Sequence, residues 1–263
     1  MMQFMQPDMV YRYPLWRVAL LLMGLAASAA VCVELAARLF VPVEFRRRHN
    51  DAAAAIFSII GVTFAVLLAF VAMLAWEGFN RAKAASYGEA AGVLEVYNVS
   101  LGFAEPERGV LRAAIVGYLE AVIGIEWPAQ AEGQTVDRGT AYLEKLNRLA
   151  TGPDGNLQGM LAQSLYRLWQ AREQRLLAAE TTIPSVVWIV TILGGGLTIA
   201  FGSFLGVPSL GMHLAMSAVL AVSGSLVLIL IIALDNPFRG DFRVSTLPFD
   251  QVLARIEAAP ARP

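Results

Sequence analysis

Charged residues are scarce in this chain. Only 16% of its 263 residues are Asp, Glu, Lys or Arg, whereas 57% are hydrophobic, and the mean hydropathy is +0.58. A soluble domain usually has about 25% charged and about 45–50% apolar residues, so this composition indicates a membrane protein. The net charge of −1 provides no basic field, and we therefore expect no nucleic acid among the partners.

Residues that carry redox or metal chemistry are also few. The single cysteine, Cys32, cannot form an internal disulfide and lies in an apolar run, where a thiol usually packs. The two histidines, His49 and His213, have no cysteine or second histidine at ligand spacing. The sequence also offers no nucleophile next to a base and no phosphate-binding loop. We therefore expect no metal, no cofactor and no enzymatic activity.

Long uncharged runs are the dominant feature. A helix that crosses about 30 Å of hydrocarbon needs about 20 mostly apolar residues. The runs at about 15–40, 52–76, 184–206 and 211–234 meet this requirement. They predict an all-α membrane protein with four transmembrane helices, two within residues 1–76 and two in a hairpin at 184–234.

The first run has an alternative interpretation. Arg12 and Arg17 precede an apolar stretch that ends near Cys32, a pattern that is also typical of a cleavable signal sequence. Apolar residues continue beyond Cys32, which favours an uncleaved span. Near its end, Glu34 and Arg38 lie one turn apart, where they can form an ion pair or reach the membrane interface.

Residues 77–183 contain most of the charges and are predicted to face water. Breakers divide this segment into helical stretches at about 77–101, 107–126, 136–150 and 157–182. We expect the first stretch to continue from span two as one helix and the last to continue into span three. A helical water-exposed bundle results, followed by a C-terminal tail at 235–263. An even number of spans places both termini and the bundle on one side, although flanking arginines are almost balanced between the sides.

An arginine tract precedes span two. It comprises Arg46, Arg47, Arg48 and His49, and it is followed by Asn50 and Asp51, which can cap a helix. One interpretation is an anchor at the membrane interface. The other is a ring of positive charge at a pore mouth, if several subunits assemble around an axis.

An apolar stripe runs along span two. Ile56, Ile60 and Phe64 recur at every fourth residue, and Thr63 lies close by. Such a stripe is usually packing or lipid contact. If it faces an axis, it is instead a hydrophobic constriction of a pore.

Small residues are aligned on spans three and four. Because small side chains allow membrane helices to approach closely, we expect these positions at helix contacts, although the glycines could also form a hinge. They are Gly195, Gly202 and Gly206 on span three and Ser217, Ala221 and Ser225 on span four.

Four segments in this order resemble the bestrophin-like family of bacterial membrane proteins of unknown function. They are "RRRHNDAAAAIFSIIGVTFAVLLAF", "WEGFNRAKAASYGEAAGVLEVY", "AAETTIPSVVWIVTILGGGLTIAFGSFLGV" and "ALDNPFRGDFRVSTLPF", and the resemblance covers residues 45–250. The family is remotely similar to the bestrophin anion channels. That similarity implies cytoplasmic helices between spans two and three, and assembly around an axial pore lined by span two.

The resemblance also gives a meaning to the end of span four. Asn236 and Pro237 would stop any helix, and Gly240 permits a turn. In the family interpretation, a structural corner is formed by Asp235, Asn236, Pro237, Phe238 and Gly240. The bestrophins have a long acidic calcium clasp after this span, whereas this chain has only Asp235, Asp241 and Asp250 nearby, a pattern that does not predict calcium gating.

Two functions are compatible with these features. The first is a homo-oligomeric ion channel, anion-selective if the arginine tract surrounds its mouth. The alternative is a non-conducting membrane scaffold or sensor whose helical segment recruits a partner. In either case the expected partners are the lipid bilayer and further copies of the chain, with inorganic ions added for a channel. The expected location is the bacterial inner membrane, with residues 77–183 and both termini in the cytoplasm.

Overall fold

The structure is a computed structural model that describes residues 10–151 and 155–259. It is built from α-helices, and no strand occurs in the described ranges. Ten helices follow one another: α1 Leu15–Phe40, α2 Val43–Arg48, α3 Asn50–Ser100, α4 Glu107–Ala121, α5 Trp127–Ala131, α6 Gly139–Ala150, α7 Asn156–Glu180, α8 Ser185–Gly202, α9 Leu210–Asp235 and α10 Leu247–Ala258. A π-helical turn, Val122–Glu126, joins α4 to α5. The predicted all-α class is confirmed.

The chain forms two compact units. The described part of the first consists of residues 10–77 and Ile183–Asp235. The described part of the second consists of residues 78–151, 155–182 and 236–259. We call them the membrane unit and the water-facing unit, because the apolar runs lie in the first and most charges in the second.

The membrane unit contains four helices that are long and apolar enough to cross a bilayer. They are α1, the first half of α3, α8 and α9. Most of their large apolar side chains are exposed on the single chain, including Leu39, Phe70 and Leu193. Such surface is stable when it faces lipid or another apolar helix. The protein is therefore an integral membrane protein.

The water-facing unit has a conventional core. Helices α4, α6, α7 and α10 and the second half of α3 bury a continuous set of apolar side chains, of which Leu111, Leu143, Leu168 and Phe249 are among the most enclosed. Gly92 allows close packing in this core, because a Cβ placed there would lie 3.1 Å from the Leu168 Cα of α7. The bundle is therefore stabilised mainly by burial of apolar surface.

The two predicted helix continuations have different outcomes. α3 is one helix of 51 residues, as expected from the absence of a proline within it. By contrast, α7 ends at Glu180 and α8 begins at Ser185, so the prediction that α7 continues into span three is wrong. Pro184 explains the break, since it has no N–H to donate and disfavours helical geometry at Ile183.

Candidate functional site

The arginine tract is divided between buried and exposed positions. Arg47, Arg48 and His49 are exposed, whereas the side chain of Arg46 is buried and only 3% of this residue is accessible. Arg46 Nη1 donates to the Ser203 carbonyl oxygen at 2.5 Å. Arg46 therefore makes its contacts inside the membrane unit, whereas Arg47, Arg48 and His49 lie at the surface of the unit.

A buried carboxylate lies at the centre of these contacts. The Glu34 side chain is inaccessible to solvent, and its Oε1 lies 2.9 Å from Arg38 Nε and 3.3 Å from Arg46 Nη1. Arg38 also donates to the Val207 carbonyl oxygen at 2.9 Å. The predicted Glu34–Arg38 pairing is thus present, and both arginines connect it to the turn between α8 and α9.

His213 of α9 completes this group, which we call the Glu34 cluster: Glu34, Arg38, Arg46 and His213. Its Nδ1 lies 2.9 Å from Glu34 Oε1, in a direction that does not suit a hydrogen bond. Its Nε2 lies 3.3 Å from the Gly202 carbonyl oxygen. The cluster therefore connects α1, α2, α9 and the end of α8. An unpaired charge buried here would be costly, so each member depends on the others.

Gly206 is where the backbone segments of this region come closest. A Cβ at Gly206 would lie 2.4 Å from the Arg47 backbone nitrogen, a distance that no side chain can occupy. The Gly206 N–H donates to Asn50 Oδ1 at 2.7 Å, so the side chain expected to cap α3 also holds the turn after α8. The loop between α1 and α3 and the turn after α8 therefore share one end of the membrane unit.

The residues of the apolar stripe on α3 differ in their solvent exposure in the single chain. Ile56 is 47% exposed and Thr63 is exposed, whereas Ile60 and Phe64 are half-buried. The Phe64 ring packs on α8, where a Cβ at Gly195 would lie 3.1 Å from Phe64 Cζ. The exposed Thr63 hydroxyl donates to the Ile59 carbonyl at 2.8 Å, so its proton is used within α3. The stripe thus begins on the open face of α3 and turns toward α8.

Several of the small residues of spans three and four have identifiable neighbours or are buried. Gly202, like Gly195, faces α3, with a Cβ position 3.3 Å from the Phe57 ring. On α9, Ala221 and Ser225 are buried and Ser217 is half-buried. As a whole, α9 packs more extensively along α1 than along α8. A Cβ at Gly202 would also lie 3.8 Å from Leu220 Cδ2 of α9, and the placement of all six small residues at helix contacts stays a prediction.

The predicted corner belongs to both units, because Asp235 is the last residue of the membrane unit and Asn236 is the first of the water-facing unit in this part of the chain. In the membrane unit, Asp235 Oδ1 accepts a hydrogen bond of 2.7 Å from the Ile183 backbone N–H, which fixes the start of the α8 segment. In the water-facing unit, Phe238 is buried and its ring meets Trp127 edge-on at 5.3 Å. The Val244 N–H donates to the Pro237 carbonyl at 2.8 Å. Gly240 has φ +74°, a conformation that glycine adopts without strain.

A second buried group of charges lies in the water-facing unit, and the sequence did not predict it. We call it the arginine network, and it comprises Glu89, Tyr118, Glu126, Arg172 and Arg175. Arg172 binds Glu126 through two hydrogen bonds of 2.6 and 3.1 Å, and Arg175 Nη2 donates to the same carboxylate at 2.9 Å. Arg175 Nε also donates to Glu89 Oε2 at 2.5 Å. All five residues are essentially inaccessible to solvent.

The environment of the arginine network fixes its protonation. Burial alone would raise the pKa of Glu126, but the hydrogen bond and charge of Arg172, the Gly139 N–H and the charge of Arg175 together lower this pKa below its ordinary value. Burial, together with the charge of Glu89, raises the pKa of Tyr118 well above its ordinary value. Tyr118 therefore remains protonated and donates to Glu89 Oε1 at 2.5 Å. The network is a buried structural element that connects α3, α4 and α7.

Two sequence signals could have indicated the arginine network. Glu89 interrupts an otherwise small and apolar helix face, and Arg172 and Arg175 lie one turn apart on α7. Neither signal identifies the partner, because Glu126 and Arg172 are 46 residues apart in the chain. In the described residues, no group of three metal-binding side chains is found.

The architecture and sequence of this chain match known proteins. The family model of the bestrophin-like domain matches residues 24–249. No match was found among curated proteins.

Two solved structures of single-substitution variants of a bacterial bestrophin homologue from Klebsiella pneumoniae have the same fold. The first has 12% sequence identity and a TM-score of 0.68, with 90% of this chain and 99% of that chain covered. The second has 13% identity and a TM-score of 0.65, with 89% and 99% covered. The match to the family model extends over most of the sequence and includes the larger part of span one, spans two to four, the helical segment between spans two and three and the corner after α9. The chain belongs to the bestrophin-like family.

Proposed function

We propose that the protein is a homo-oligomeric ion channel of the bacterial inner membrane in which the membrane half of α3 lines a central pore. The observation that carries the proposal is the exposure of α3 on the single chain. Its apolar stretch has only 11% of its residues buried. A symmetric assembly around an axis would place one face of this helix on the axis and cover others by neighbouring copies.

The proposed lining consists of Ile56, Ile60 and Phe64, with Thr63 beside them. A ring of such apolar side chains offers an ion no replacement for its hydration shell and therefore acts as a barrier. Phe64 is braced by Gly195 of the same chain, which fixes the position of its ring. The Thr63 oxygen would be the polar group closest to this apolar ring. Because Phe64 also contacts α8, replacing it would change both the packing of the chain and the proposed pore lining. Ile56 is more exposed, so its replacement tests the pore lining more directly.

We assign Arg47, Arg48 and His49 to the pore mouth, where repeated positive charge would attract anions. Arg46 is a poorer candidate for that role, because its guanidinium is occupied by Glu34 and Ser203. The partners of the protein are then inorganic ions, lipid and further copies of the same chain. Residues 77–183 and both termini are assigned to the cytoplasm.

The test is planar-bilayer recording from purified protein whose oligomer mass is measured in the same detergent. Replacing Ile56 and Ile60 together by alanine is expected to raise conductance or open probability, because the apolar ring becomes wider. Val62→Ala is the matched control, since Val62 is 65% exposed and lies about 120° from Ile56 around α3. Equal effects of the two changes would contradict the assigned lining.

Ion preference is tested in the same recordings with asymmetric salt. Arg47→Glu is expected to shift the reversal potential away from the anion value, with Arg148→Glu on the water-facing helix α6 as the control for a general change of charge. If wild-type protein of oligomeric mass passes no current, the channel proposal is wrong and the protein is a membrane scaffold or sensor.

A further inference from the structure

A cavity of about 310 Å³ lies in the water-facing unit, remote in sequence from the proposed pore lining. It is formed where α3 ends, α4 begins and α10 ends. Its polar lining includes Tyr97, Asn98, Glu105, Arg108, Arg112 and Arg255. The volume is at the lower end of the range of about 300–1,000 Å³ that is typical of small-molecule sites.

The cavity has an excess of positive charge. Three guanidinium groups line it, and Glu105 is the one carboxylate among its lining residues. Glu105 Oε1 accepts a hydrogen bond of 2.9 Å from Arg108, and its Oε2 accepts one of 3.1 Å from the Gly109 N–H. These contacts occupy Glu105 and leave the other two guanidinium charges without a carboxylate in the cavity wall.

The remaining arginines are placed differently. Arg112 is half-buried and donates through Nη2 to the Ile256 carbonyl at 2.9 Å, which positions its guanidinium between α4 and α10. Arg255 is exposed, and within residues 10–151 and 155–259 it forms no ion pair. Its neighbour Ile256 is fully buried in the core and anchors this turn of α10. Packing of Ile256 and the Arg112 hydrogen bond therefore hold the backbone on this side of the cavity, and Arg255 is not needed to hold it.

We propose that this cavity binds a small oxyanion with two or more negative charges, such as a phosphate ester or a polycarboxylate. Guanidinium groups bind the oxygens of phosphate and carboxylate through paired hydrogen bonds, and two uncompensated cations match a divalent ligand better than a monovalent ion. Tyr97 and Asn98 add an aromatic edge and an amide for recognition of the rest of the ligand. This site does not depend on the proposed conduction.

Isothermal titration calorimetry of the full-length protein in detergent tests the site, with pyrophosphate and citrate as probes and chloride as the monovalent comparison. The titration is performed at about 0.15 M salt, where exposed charges are screened beyond about 8 Å. Saturable binding of pyrophosphate or citrate is expected, and its preference for one of them identifies the ligand as phosphate or carboxylate. Absence of saturable binding for both would overturn the proposal.

The variant Arg255→Gln is expected to weaken the binding about tenfold or more, because a charge-assisted hydrogen bond is lost. Since Arg255 is exposed, this change should leave the thermal melting point unchanged. The matched control is Arg148→Gln, in which an exposed arginine of α6 outside the cavity is replaced. Arg112→Gln replaces the other uncompensated guanidinium and provides a second position in the cavity. Equal weakening by the control and by both cavity variants would show nonspecific charge attraction and would overturn the site.

Discussion

Arg46 Nη1 lies 3.3 Å from Glu34 Oε1 inside the membrane unit, and both side chains are buried. This pair joins α1 to α2, and the additional bond from Arg46 to Ser203 extends the connection to the turn after α8. Two arginines therefore depend on one carboxylate for compensation of their charge.

Glu34→Gln is expected to lower the stability of the membrane unit. The amide keeps the shape of the side chain but removes the charge, so Arg46 remains buried without a counter-ion, and breaking such a pair costs about 3–5 kcal/mol. Thermal melting in detergent, followed by circular dichroism, measures the effect. Glu44→Gln is the control, because Glu44 is exposed on the neighbouring helix α2. Similar melting points for both variants would contradict the role given to Glu34.

Gly206→Ala is expected to destabilise the same end of the membrane unit. The added methyl group would overlap the backbone of Arg46 and Arg47, and overpacking of this kind costs about 1–3 kcal/mol. Gly211→Ala is the matched control, since a Cβ there meets nothing within 4 Å. The larger change Gly202→Leu should disturb the contact with Phe57 and lower the melting point as well. Wild-type stability and oligomer mass in both Gly206→Ala and Gly202→Leu would contradict this packing.

Two arginines of α7 provide a comparison of buried and exposed ion pairs. Arg172→Gln should reduce the free energy of unfolding by about 3–5 kcal/mol, because Glu126 loses two hydrogen bonds in a buried site. Arg167→Gln removes an exposed pair with Glu95 and should cost less than about 1 kcal/mol. Urea titration of the full chain in detergent measures both. A cost for Arg172→Gln no larger than that for Arg167→Gln would show that the arginine network does not stabilise the fold.

The same network predicts a loss of stability in acid. The pKa of Glu126 in the folded protein is lowered below its ordinary value of 4.5. Its ionised form therefore stabilises the fold fully above pH 4.5, and this contribution is lost as the pH falls through the lower folded value. Glu126→Gln should have lower stability at neutral pH and a weaker decline below pH 4.5 than the wild type. Parallel pH profiles of the two proteins, measured by thermal melting, would contradict this assignment.

The orientation of the chain can be tested by cysteine labelling. Gln134 is exposed in the water-facing unit, and a cysteine at this position should resist an impermeant maleimide in intact cells if the unit is cytoplasmic. Ser209→Cys, in the exposed turn between α8 and α9, should be labelled from outside. Both changes are made in a Cys32→Ala background, because Cys32 is exposed on α1. Labelling of Gln134→Cys alone would reverse the assigned topology.

The parts of the fold that hydropathy controls could be predicted from the sequence. The four spans follow from uncharged runs, and the continuity of α3 follows from the lack of a proline between Asn50 and Ser100. The break before α8 does not follow from the presence of Pro184 alone, because a proline is compatible with both a first helical turn and a helix end. The corner residues were recognised as a group, but sequence alone did not indicate that Asp235 bonds to Ile183.

Buried charges were the main feature that could not be predicted. Arg46 was expected at a surface because an isolated arginine is strongly hydrated, and its partner Ser203 is 157 residues away. The burial of Arg172 and Glu126 is equally hard to predict from sequence, because each charge is unfavourable in a core unless the other is there to pair with it. Local patterns describe one helix at a time, whereas these pairs are specified by the packing of several helices.

The π-helical turn at Val122–Glu126 determines how this segment responds to the loss of one residue. In an uninterrupted α-helix, Glu126 would lie about 80° around the axis from Tyr118, eight positions earlier. The wider turn accommodates one extra residue and brings both side chains to Arg172. Deletion of a single residue here, such as the exposed Ile125, would turn the segment into an uninterrupted α-helix in which Glu126 stands seven positions after Tyr118, about 20° around the axis, so Trp127 and the residues after it would keep their phase. A one-residue deletion should therefore be tolerated better at this turn than inside the regular helix α4, where it would rotate every following side chain by about 100°.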